Sequence, residues 1–216
     1  MSKAYLTAAG SILTVEARHS SYIRAGLKQT PFAAPFDTPL GLNEVYTLAA
    51  GFITSCPDSN AKLPVKAFPA LALDPAAGVV KAGSTIKLLT TGYTLKAAQG
   101  VATIYAAFIS VTGPTFVVAT PVDGGFQVTV PKGFSGQSYA VLTSCNETVS
   151  DDTTAAGPAI IEVCLFDPMV VIVVGDEANW CDRSVTNYRS SSVYFVVRFC
   201  WFVAWVNKLA GTRIEF

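Results

Sequence analysis

Glu16 and His19 are the two side chains of this sequence whose types and spacing suit joint chemistry. Three residues apart on a helix, they are neighbours on one face, so a carboxylate oxygen and an imidazole nitrogen can meet at one ion. Helical bundles that hold two metal ions carry such a Glu-x-x-His pair on two of four helices, and the other two helices give a glutamate each. A simpler reading stands beside the metal-ligand one. Patterns this short recur by chance, and the pair also suits a local hydrogen bond beside a wet groove. His19 is the only histidine in the sequence. One chain therefore offers one carboxylate and one imidazole, too few ligands for a high-affinity centre.

The element that must position the pair runs from Lys3 to Leu27. Tyr5, Ala9, Ile12, Ile23 and Leu27 recur at helical spacing and predict one long helix, roughly 37 Å at the standard rise. Gly10 is its internal weakness, Gly26 suits its end, and Pro31 stops any continuation. Glu16 and His19 follow Ile12 by four and seven positions, which places both on the apolar stripe, where ionisable groups need partners. Arg18 and Arg24 fall off the stripe and read as solvated.

Residues 29–61 form a linker stiffened by Pro31, Pro35, Pro39 and Pro57. Phe32 and Phe36 are too apolar for open water, so this segment should lie along a packed surface. Asn43 is a plausible cap for a short helix from Glu44 to Ala50, with Gly51 ending it. Asp37, before Thr38 and Pro39, reads as a turn residue with no base or nucleophile in view.

Residues 62–163 change to short β-prone runs between Gly, Pro, Asp and Asn. The expected strands are Ala67–Leu73, Ser84–Thr90, Val101–Ile109, Thr115–Ala119, Phe126–Val130, Tyr139–Thr143 and Ala159–Val163. Phe126, Val128 and Val130 alternate cleanly with Gln127 and Thr129, and Asp123-Gly124-Gly125 is a tight-turn signal. About seven strands in this length suit an immunoglobulin-like or related Greek-key sandwich. The expected class is therefore α+β, with one long helix joined to an immunoglobulin-like β-sandwich and an atypical apolar tail over residues 164–216.

Composition narrows the function. Fifteen Lys and Arg balance fifteen Asp and Glu, which excludes a strongly basic nucleic-acid binder and a charge-rich disordered chain. The sandwich region carries no Gly-x-Ser-x-Gly elbow, no phosphate loop, no zinc-type Cys/His cluster and no histidine for a serine triad. No secretory signal is visible at the start of the sequence. Asn146-Glu147-Thr148 is a candidate N-glycosylation acceptor, with a plain Thr-rich loop as the simpler reading. Cys56 and Cys145 are a candidate disulfide that would staple linker to sandwich. All three tryptophans and three of the five cysteines lie after Val163, which marks a change of character there. The run from Val193 to Val206 is strongly apolar but too short to span a bilayer, and Arg198 interrupts it.

Leu6 to Pro57 resembles the end of the ferritin-like domain of a fungal stress-response protein family of the Rds type. The matching stretches are Ile12–Tyr22 (ILTVEARHSSY), Pro31–Leu40 (PFAAPFDTPL), and Asn43-Glu44-Val45-Tyr46 running into Ser55-Cys56-Pro57. The β-rich stretch ending in Gly157-Pro158-Ala159-Ile160-Ile161-Glu162-Val163 is similar to that family's C-terminal region. The resemblance implies a four-helix bundle followed by a small β domain, in proteins that are often exported. Within it, residues 1–28 match the last bundle helix, and Glu16 and His19 occupy its Glu-x-x-His. The first three helices, with their carboxylates and histidine, have no counterpart in these residues.

The expected function is that of a ferritin-like family protein, non-catalytic in this form, with a binding or structural, stress-associated role. Its isolated chain should need no cofactor. The alternative is a di-iron or di-manganese carboxylate protein completed by oligomerisation or by upstream helices. Self-association would use the apolar face of the N-terminal helix and the tail.

Overall fold

The computed structural model describes residues 3–27, 29–95 and 103–164. The expectations for the tail, including its apolar run, fall outside these residues. Within them the chain divides into two compact units, one of residues 3–31 with Ala49–Val65, the other of Phe32–Leu48 with the β-rich residues from Lys66 onward.

The first unit is dominated by α1 (Lys3–Gly26), 24 residues long, as the apolar spacing predicts. Its end is tied by Leu27 N–H to Ile23 O and Gln29 N–H to Arg24 O, both at 2.9 Å. Arg24 corrects the solvated reading. Its side chain is buried, and Nε donates to Thr30 O at 2.9 Å, so the guanidinium holds the turn that leaves the helix. Leu6, Leu13, Tyr22, Ile23 and Leu27 of this segment are exposed. No helix among the described residues is long and apolar enough to cross a membrane.

The second unit holds a large curled sheet. After α2 (Leu42–Ala50) come β1 (Ala72–Leu73), a short 3-10 turn (Pro75–Ala77), β2 (Val80–Lys81) and β3 (Thr85–Leu89). They are followed by β4 (Ile104–Ile109), β5 (Thr115–Val122), β6 (Gly125–Thr129), β7 (Gly136–Thr143) and β8 (Thr154–Cys164). The eight strands run in the order β1-β3-β6-β5-β4-β7-β8-β2, with only the β2–β8 pair parallel.

The curl comes from β5. Its first half pairs with β4 from Phe108↔Thr115 to Ile104↔Ala119, and its last residues pair with β6 from Thr120↔Gln127 to Val122↔Gly125. One strand thus serves two sheet segments that face each other across a common core. Asp123 and Gly124 form the two-residue turn into β6, and Gly124 takes the positive φ of 71° that such turns require. The edges then approach, because Gly157 N–H on β8 donates to Pro69 O at 3.0 Å.

Alternation selects the core. Ile86↔Val128 and Leu88↔Phe126 pair across β3 and β6 with all four side chains inward. Ala106↔Leu142 and Phe108↔Ala140 do the same across β4 and β7, and Phe134 meets Phe108 edge-on at 5.4 Å between ring centroids. The opposite face of β4 and β7 is also covered. Ala107, Ile109 and Val141 pack there with Leu40, Phe116 and Val149. Phe32 and Phe36, expected against a packed surface, are exposed instead, because it is Leu40 that the Pro-rich segment lays into this cluster. Burial on both faces explains why β4 reads as a continuous apolar run.

Candidate functional site

On α1, the imidazole Nδ1 of His19 lies 3.5 Å from Glu16 Oε2. The side chains are 52% and 35% exposed respectively, which corrects their expected place facing a core. Helical spacing puts two residues on one stripe, but a stripe is buried only where another element covers it. An exposed i,i+3 contact of this kind contributes a few tenths of a kcal/mol, about 0.3. Among the described residues no group of three or more His, Cys, Asp or Glu side chains is placed to hold a metal ion. One glutamate and one histidine do not fit the ligand set of a two-metal centre, which needs carboxylates from several helices.

Cys56 is exposed and Cys145 half-buried. Cys145 follows β7, in the loop that leads to β8. Glu147 N–H points at its sulfur from 3.4 Å, and Thr148 Oγ1 lies at 3.9 Å. Backbone N–H groups of Glu147 and Thr148 hold this thiol below its usual range. Asn146 is exposed on the same loop, and Thr148 is the hydroxyl residue of its acceptor triplet.

That loop is stiff rather than loose. Thr154 N–H donates to Ser150 O at 2.9 Å, and the Thr154 hydroxyl donates to the same oxygen at 2.8 Å. Ser150 N–H donates to Thr153 Oγ1 at 2.9 Å. The loop faces the start of α2, where Glu44 is 7% exposed. Gly41, and not Asn43, is the cap. Val45 N–H donates to Gly41 O at 3.0 Å, while Glu44 Oε2 reaches back to accept Gly41 N–H at 2.6 Å. Asn43 sits inside the first turn, and its Oδ1 accepts Lys66 N–H at 2.8 Å.

Between α2, the end of β4 and the loop lies a groove of about 400 Å³. Glu44, Glu147 and Asp151 bring carboxylates to it, and Ile109, Pro114 and Val149 give it apolar walls. Burial pushes the Glu44 carboxyl above its usual value; the Gly41 N–H opposes this, and the charge of Asp151 adds to it. Sequence reasoning missed this site. Its signals were local, a glutamate three residues after a helix cap and a Thr-rich loop, and only the fold brings them together.

Residues 1–29 match the model of a ferritin-like domain. No curated protein matches the chain. The match covers α1 and the Glu16–His19 pair and does not reach the curled sheet.

Proposed function

We propose that this chain is a non-catalytic binding or structural protein of ferritin-like origin, with the stress-associated role that its resemblance implies. The ligand count carries the reading. The helix that matches a ferritin-like domain presents one carboxylate and one imidazole to solvent, in contact with each other. A dinuclear centre asks for more donors than this. The sheet contributes a packed core and an open groove.

The test is metal content. The full chain is purified in the presence of Fe(II) or Mn(II) and compared with the Glu16→Ala/His19→Ala double variant. The expected result is substoichiometric metal, equal in both proteins. Stoichiometric metal lost in the double variant would assign the second reading, a carboxylate metal protein completed by self-association. That second reading draws on the exposed Leu6, Leu13, Ile23 and Leu27 beside the pair.

A further inference from the structure

Asn146-Glu147-Thr148 is the one Asn-x-Ser/Thr triplet of the sequence, and the role proposed above leaves it unused. All three residues are exposed, on the loop between β7 and β8. Among the described residues no hydrogen bond or ion pair engages the Asn146 side chain. The Thr148 hydroxyl meets the Cys145 sulfur at 3.9 Å, a loose contact. The acceptor amide, and the hydroxyl two residues on that a glycosyl transferase reads, therefore both reach solvent.

The plain reading of a loop asparagine is that its side-chain oxygen holds the turn by accepting a nearby backbone N–H. Here the sulfur of Cys145 does that work, accepting Glu147 N–H at 3.4 Å, while Cys145 N–H donates to Thr143 Oγ1 at 3.1 Å. The loop is thus tied without Asn146, and a bulky group on its amide displaces no contact of the fold. Cys164, the last residue of β8, is disulfide-bonded, which fits the oxidising compartment where such transferases work. We infer that Asn146 is an acceptor for N-linked oligosaccharide when the chain enters the endoplasmic reticulum. The donor is a lipid-pyrophosphate-linked oligosaccharide. Asn146 Nδ2 bonds to its anomeric carbon, the bond from that carbon to the pyrophosphate oxygen breaks, and the lipid pyrophosphate leaves with the electron pair. The amide gives up one proton, and nothing is oxidised or reduced.

The full chain is expressed in yeast behind a cleavable export leader, whose removal shows that a molecule has reached the lumen. Most of the leader-cleaved chain should migrate one step slower, and peptide N-glycosidase should abolish the step and leave aspartate at position 146 by mass spectrometry. Asn146→Gln and Thr148→Ala should lose the step, and Thr148→Ser should keep it. Asn146→Gln should melt at the parent's temperature, since its side chain holds nothing in the fold. The assignment is overturned if most leader-cleaved chain carries no glycan, or if the glycan persists in Asn146→Gln.

Discussion

Thr47 joins α2 to the chain that leads into the sheet: its Oγ1 accepts Phe68 N–H at 2.9 Å while donating to Asn43 O at 2.6 Å. One turn earlier, Asn43 Oδ1 accepts Lys66 N–H. Two side chains four apart on a helix thus receive two N–H groups two apart on an extended segment. Replacing Thr47 by Val keeps the shape and removes the acceptor, leaving a half-buried N–H without its partner. The loss should be about 1–2 kcal/mol, read as a lower urea midpoint, with Thr47→Ser close to the parent.

Gly125 opens β6 where it runs against β3. A Cβ there would collide with the carbonyl oxygen of Leu88, and neither strand backbone is free to give way. Gly125→Ala should cost about 3 kcal/mol or more, or prevent folding. Gly10→Ala meets nothing around it on α1 and should be neutral or mildly stabilising. Thermal unfolding of the two variants side by side checks the contrast.

Glu44 makes stability depend on pH in a definite direction. Its carboxyl is raised above the ordinary value of 4.5 in the folded chain, chiefly by burial. The protonated form is therefore the one that folding favours. Its contribution is complete below the unfolded value and is lost as pH rises through the folded one. Glu44→Gln should match the parent near pH 4 and exceed it at pH 7, by denaturant midpoints at both. Titration of the Glu44 side-chain carboxyl by carbon NMR should show the upward shift directly.

Tyr93 donates its hydroxyl to Ala70 O at 2.5 Å, and burial pushes its phenol up to about 12. Ultraviolet titration should show a late tyrosine step, and Tyr93→Phe should remove it. The neutral phenol is the folded form's preference, so its contribution is full below about pH 10 and fades as pH rises through about 12. The substitution should cost about 1 kcal/mol at neutral pH.

Much of the fold was legible in local pattern. The 3.6-residue spacing of Tyr5, Ile12 and Ile23 foretold α1, and Asp123-Gly124 foretold the turn between β5 and β6. Phe126 and Val128 announced an inward face by alternation alone. The two-residue strand β2 was missed, because Val80 and Lys81 have too short a pattern and are ordered by parallel pairing with Val163 and Cys164. The early start of β8 at Thr154 was missed for a similar reason, since β7 recruits residues whose own preference is for a turn.

The sequence by itself determined what chemistry was on hand: one Glu-x-x-His pair on a helix, a balanced charge, and β-strands in search of a core. Those follow from residue type and from periods of two and 3.6, which are local properties of the chain. Only tertiary structure decided that Glu16 and His19 face solvent while Glu44 is buried, and that Asp151, over a hundred residues away in the chain, faces it across a groove. Burial and long-range proximity depend on which elements cover one another, and in this chain that was settled by the switch of β5 between its two partners.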